Sequence, residues 1–171
     1  MMQMKRILNI SLLIFLTFVE AIAQISTTNS ISINVSATVM SNSPVELTTL
    51  NNMIIEGDIT SNKEIYISPL TNRNAGLMLA KGRPNSRARM TYLINETLTN
   101  KKGTGKISLV YEMSGYPERI QKASNLISTG DFILNFGNDG AYYLWLGVRA
   151  NLEYTLPGSY VGKFTVEIEY I

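Results

Sequence analysis

The chain has 171 residues and a formal net charge of +2, with no histidine and no cysteine. That length suggests one domain with a core large enough to stand without staples. The two absences exclude a Ser-His-Asp triad, a Cys-His pair, the usual zinc sites and any disulfide, and the near-neutral balance offers no electrostatic footprint for nucleic acid.

The first element is a leader. Lys5 and Arg6 precede an apolar run, Ile7 to Val19, which Ala21-Ile22-Ala23 closes as a small-x-small site. This order predicts a secretory signal peptide over residues 1–23, cut after Ala23. The apolar run is too short for the span of about 20 residues that a membrane helix needs. No lipid-accepting cysteine follows. The expected product is a single domain, residues 24–171, exported to the periplasm, the cell surface or the medium, with no membrane span.

From there the chain reads as short strands. Ile31, Ile33, Val35, Ala37 and Val39 alternate with Ser32, Asn34, Ser36 and Thr38, the period of a half-buried strand. Asn42-Ser43-Pro44 is a turn. Val45–Leu50, Met53–Glu56 and Glu64–Ser68 are shorter strands, and Gly76–Lys81 is an apolar one. Gly82-Arg83-Pro84-Asn85-Ser86 turns the chain into an alternating stretch with Ala88, Met90, Tyr92 and Ile94 on one face. A polar loop, Asn100 to Gly105, leads to another, with Ile107, Leu109, Tyr111 and Met113 on one face. Ser114 to Thr129 lacks a clear period and reads as a long connection. Phe132–Phe136 and Ala141–Leu152 flank Gly137-Asn138-Asp139-Gly140, and Asp-Gly between apolar runs is a hairpin pattern.

After Pro157-Gly158 comes a cleanly alternating strand with Phe164, Val166, Ile168 and Tyr170 on one face and Lys163, Thr165, Glu167 and Glu169 on the other. Gly162 suits either a close backbone approach or a bulge. Strands separated by turns every 8–12 residues or so predict an all-β fold, a single antiparallel β-sandwich of immunoglobulin-like architecture with about seven to nine strands.

Four segments, in order, carry a resemblance. "ISINVSATVMSNSPVELT" is similar to the opening strand, Pro and second strand of the exported bacterial proteins grouped as domain-of-unknown-function family 4402. "LMLAKGRPNSRARMTYLI" resembles that family's strand, Gly-x-Pro turn, strand unit, and "WLGVRANLEYTLPGSYVG" its Gly-containing strand. "GSYVGKFTVEIEY" resembles its closing motif, G-x-Y-x-G-x-F-x-V-x-V-x-Y. The resemblance covers about residues 28 to 171 and implies a secreted β-sandwich with no catalytic residues to carry over. A looser similarity links the chain to fimbrial subunits of the chaperone–usher type, which also end in an alternating strand with tyrosine next to last, as Tyr170 is here. That similarity implies an N-terminal strand-donor segment, with Ile31, Ile33, Val35, Ala37 and Val39 completing a neighbour's sheet. The simpler alternative pairs this strand within its own domain.

Tyr142-Tyr143-Leu144-Trp145-Leu146 is apolar on both faces. It fits a central strand covered on both sides, or an exposed aromatic platform on which Tyr143 and Trp145 meet a glycan or a partner. Lys81, Arg83, Arg87 and Arg89 surround one turn and fit a solvated face or an anion site. Glu167 and Glu169 fit a solvent stripe that blunts edge pairing, a carboxylate pair for acid–base work, or calcium ligands, although no Asp-rich loop accompanies them. Asn34-Val-Ser36 and Asn95-Glu-Thr97 match the glycosylation acceptor pattern and receive no role. The function expected from these observations is that of a non-enzymatic exported structural or surface protein, without cofactor or metal, partnered by itself or by other envelope proteins. The alternatives are a fimbria-like subunit that donates a strand and a carbohydrate-binding module.

Overall fold

A computed structural model describes residues 30–40, 45–59, 61, 63–101, 104–127 and 131–171; within 30–40 the described side chains are those of Ile31 and Ile33. The expected leader and the Asn42-Ser43-Pro44 turn lie outside the described residues. Two sheets pack face to face. The order in the first is β10-β6-β12-β1-β3. These strands are β1 (Ser30–Met40), β3 (Met53–Asp58), β6 (Arg87–Tyr92), β10 (Asp131–Asn135) and β12 (Gly158–Tyr170). The second sheet runs β2 (Glu46–Asn51), β5 (Gly76–Lys81), β11 (Ala141–Asn151), β8 (Lys106–Tyr116) and β7 (Asn95–Thr99). Two short strands extend it, β4 (Glu64–Ile67) on β11 and β9 (Asn125–Ile127) on β8. No helix among the described residues is long and apolar enough to cross a membrane.

The alternation read from the sequence is what separates core from surface. Ile107, Leu109, Tyr111 and Met113 of β8 point inward, as do Leu144, Leu146, Val148 and Ala150 of β11. They meet Tyr160, Phe164, Val166 and Ile168 of β12 and Ala88 and Met90 of β6. Phe164 sits at the centre, 4.9 Å from the Tyr111 ring and 5.5 Å from the Tyr92 ring, so aromatic contacts join the two sheets.

The count differs from expectation: the described residues form twelve strands. The added strands include β7 and β9, and the chain switches sheets repeatedly, at two points within a few residues. β2 and β3 are separated by Asn52 alone yet lie in different sheets. β6 ends at Tyr92, earlier than the alternation through Ile94 suggests, and the chain crosses over to form β7, which the sequence reading did not anticipate. The supposed long connection after Ser114 in fact continues β8 to Tyr116, makes a short 3-10 turn (Gln121–Ala123) and adds β9.

The expected hairpin across Gly137–Gly140 is corrected. β10 pairs with β6 in the first sheet, and β11 pairs with β5 and β8 in the second. The tight turn is real: Gly140 N–H donates to Gly137 O at 3.0 Å, and Ala141 N–H to the Asp139 carboxylate at 2.9 Å. It is an inter-sheet corner, docked on the equally crossing β5–β6 turn by Gly82 N–H to Gly140 O at 2.8 Å and Asn85 N–H to Gly137 O at 3.2 Å. Turn residues report a local reversal and not which sheet each arm joins.

β12 lies between β6 and β1. It pairs with β6 antiparallel over Val166–Tyr170 and with β1 in parallel from Ile31↔Gly158 to Met40↔Glu167, the one parallel pair of strands among the described residues. Its opening residues are fixed by what crosses them. The Tyr160 hydroxyl donates to Leu156 O at 2.9 Å, bracing the turn that feeds the strand. Gly158 has φ +149°, and a Cβ there would lie 2.4 Å from the Asn100 amide nitrogen. At Gly162 the register with β1 is unbroken, so there is no bulge. The reason is close approach: a Cβ there would sit 2.7 Å from Leu98 Cδ2 of β7.

Candidate functional site

β11 carries the residues that the sequence singled out, and both its faces are covered. Trp145 is 5% exposed and Tyr143 half-buried, with their ring centroids 6.4 Å apart. The exposed aromatic platform is therefore corrected: the Trp145 ring is not available to a glycan. The cause lies in how β4 and β5 share one edge of β11. β5 pairs with Ala141–Leu146 and β4 with Val148–Asn151, so the segment joining them, residues 68–75, must loop out and return. It does so at Gly147, where a Cβ would lie 2.4 Å from Ile67 O and 2.5 Å from Pro69 Cδ.

A buried polar cluster ties this cover down. Ser114, opposite Trp145 in register, donates its hydroxyl to Pro69 O at 3.1 Å. Ser124 Oγ lies 2.8 Å from Ser114 Oγ and 2.6 Å from Gln121 O. The Gln121 amide donates to Pro69 O at 2.9 Å and to Asn72 O at 3.0 Å. Among the described residues every buried side-chain polar atom has a partner, as a settled interior requires.

The charged residues sit on sheet surfaces. Arg89 bridges Asp131 at 3.7 Å and Glu169 at 3.9 Å, across β10, β6 and β12. Arg83 lies over the Tyr170 ring at 5.3 Å, and the Tyr170 hydroxyl accepts from Arg83 N–H at 2.7 Å. Arg87 and Lys81 are exposed. Glu167 stands opposite Thr91, and Glu169 opposite Arg89. These neighbours distribute the predicted basic cluster and carboxylate pair along a solvated face. Arg149 stacks on Tyr66 at 4.4 Å and pairs with Glu64 and Glu112, clamping β4 to the sheet. The Tyr66 hydroxyl donates to Glu112 at 2.8 Å, and that bond to a carboxylate raises the Tyr66 phenol above its usual range.

A second latch joins the sheets at β7. Glu96 accepts from the Tyr111 hydroxyl and, at 3.3 Å, from Lys163 N–H of β12. Burial first, and this hydrogen bond second, push the Tyr111 phenol far above its ordinary value, so it stays neutral and keeps donating.

The predicted strand-donor segment lies in the chain's own first sheet. Backbone register sets Ile31, Ile33, Val35, Ala37 and Val39 against Gly158, Tyr160, Gly162, Phe164 and Val166 of β12. On its other side Ile33 faces Ile55 and Val35 faces Met53 of β3. Ile31 and Ile33 are buried.

One feature escaped the sequence reading. An open cleft of about 520 Å³ runs along the outer edge of β3, lined by Asn51, Asn52, Ile54, Glu56, Arg73 and Asn74. Gly76, which follows the 72–75 turn, lies beside Met53 at the start of β3, where a Cβ would be in ordinary contact at 3.4 Å. The Asn51-Asn52 pair interrupting two strands was the only trace of it in the sequence. No family model matches the chain, and no curated protein matches it.

Proposed function

We propose that the chain is a non-enzymatic, exported structural protein of the cell envelope or surface, needing no cofactor and acting through its sheet edges and faces, with itself or other envelope proteins as partners. The observation that carries this reading is the use made of its polar chemistry. Arg89 and Arg149 hold neighbouring strands together through Asp131, Glu169, Glu64 and Glu112, and the buried Ser114 hydroxyl holds Pro69, which lies against Gly147 on the strand of Trp145. The leader-like N-terminus, the lack of histidine and cysteine, and the resemblance to family 4402 point the same way. The test is to express the whole chain in a bacterium and find it. Loss of the first 23 residues and recovery outside the cytoplasm is the expected result. An intact N-terminus on a cytoplasmic protein overturns the reading.

A fimbria-like subunit is the second reading, and one observation favours it. β1 lies between β12 and β3, so its withdrawal would leave a groove one strand wide with a hydrogen-bonding wall on each side. Light scattering on the mature chain separates the two. A concentration-independent monomer supports the self-contained module, whereas ladders that vanish when residues 24–42 are deleted support strand donation.

A further inference from the structure

We propose that the cleft between the outer edge of β3 and the 72–75 turn binds a neutral saccharide. It is an open, mainly polar cleft of about 520 Å³, shaped to hold part of a ligand and leave the rest in solvent. Three carboxamides, Asn51, Asn52 and Asn74, are among its lining residues, and each both donates and accepts, as sugar hydroxyls do. Arg73 adds a fork of donors and Glu56 a pair of acceptors suited to adjacent hydroxyls. Neither has an ion-pair partner among the described residues, unlike Arg89 and Arg149. Their charges cancel, which favours an uncharged ligand. Ile54, 48% exposed, supplies an apolar patch for the C–H face of a sugar ring.

The wall is also held in shape. Asn72 N–H donates to Ser68 O and Ala75 N–H to Asn72 O, both at 3.1 Å. Asn74 N–H donates to the Asn72 side chain at 2.9 Å, and Gln121 grips Asn72 O at 3.0 Å. A turn fixed by four hydrogen bonds loses little entropy on binding, which is how a polar site of exposed residues gains affinity. The rival occupant is a peptide strand added to the β3 edge. The lining side chains Ile54 and Glu56 are outward-facing positions of β3, so the cleft offers side chains and not a bare backbone edge to its ligand.

The experiment is a 1H–15N NMR titration of the mature protein with three neutral oligosaccharides, maltohexaose, cellohexaose and chitohexaose, and with an oligogalacturonate as the acidic comparison. The side-chain amides of Asn51, Asn52 and Asn74 and the Arg73 Nε–H should shift with at least one neutral sugar. Arg73→Ala and, separately, Glu56→Gln should each weaken that binding by about tenfold or more while leaving distant backbone signals unmoved; a lost charged hydrogen bond is of this size. Both residues are exposed, so neither change should disturb folding. Three outcomes overturn the proposal: no shift with any neutral sugar, shifts elsewhere on the surface or indifferent to both substitutions, or tighter binding of the acidic oligomer. None of them bears on export, so failure here leaves the structural reading to its own test.

Discussion

Substituting Gly147 by alanine tests the reason Trp145 is hidden. The new methyl would stand 2.4 Å from Ile67 O, 2.5 Å from Pro69 Cδ and 2.7 Å from Pro69 N, where ordinary contact begins near 3.4 Å. Two of these three are backbone atoms in a segment paired to β11 at Val148↔Ile67, so no side-chain rotation relieves them. The cover must lift by about 1 Å, and overpacking of this kind costs up to about 3 kcal/mol. Restricting the unfolded chain returns at most about 1 kcal/mol, which leaves a net loss of about 2 kcal/mol. For a domain of this size that lowers Tm by about 4–8 °C. Trp145, the only tryptophan, is two residues away and reports the event: its emission should shift to the red in the folded protein and lose its transition earlier on heating. Gly137→Ala is the control, because its nearest atom, Asp139 Oδ1, is already at an ordinary 3.4 Å. If Gly147→Ala melts within about 1 °C of the parent with unchanged emission, the 68–75 segment does not lie on this face as described.

Removing Val166–Ile171 should abolish cooperative folding. Every β6–β12 pair lies between Val166 and Tyr170, so the truncation detaches β6, and β10 with it, from the first sheet; a soluble fragment with a sharp melt would refute this. Alkali should destabilise the fold through its buried phenols. Burial raises Tyr142 to about 12 and raises Tyr111 further with the help of Glu96, whereas in the unfolded chain both ionise near 10. Their contribution is therefore fully present below about pH 10 and is lost as pH rises toward the folded values, at about 1.4 kcal/mol per pH unit for each phenol. Urea midpoints measured across that window should fall, and Tyr142→Phe should flatten the slope; an equal slope in the variant would sink the assignment.

Much of the sandwich was legible because alternation is a statement about faces. Phe164, Val166 and Ile168 are buried on the face their spacing names, with Tyr170 half-buried at its end, and Ile107, Leu109, Tyr111 and Met113 are buried on theirs. Alternation does not name the neighbour. Nothing in Asn138-Asp139-Gly140 says that β10 and β11 part company into different sheets, because the local turn is the same either way. β7 and β9 escaped notice for a related reason. They are short edge strands with polar or exposed positions, Thr97, Thr99, Asn125 and Leu126, and their place depends on long central strands that present more edge than one partner can fill.

The candidate sites divide along the same line. A run that is apolar on both faces, such as Tyr142–Leu146, implies burial on both sides, and Trp145 obeys that implication through a covering segment 70-odd residues away in sequence, fixed by Ser114 and Gln121. A polar cleft carries no such mark. Asn52, Glu56 and Arg73 look like ordinary surface residues until the fold places them in the lining of one cleft. The same compact packing thus removes one binding surface and creates another. The 68–75 segment crosses Gly147 on the strand face that carries Trp145, and through Arg73 and Asn74 it lines the cleft. Gly147→Ala should therefore disturb both at once, shifting the Trp145 emission and the Asn74 side-chain amide together, whereas two unrelated features would respond separately.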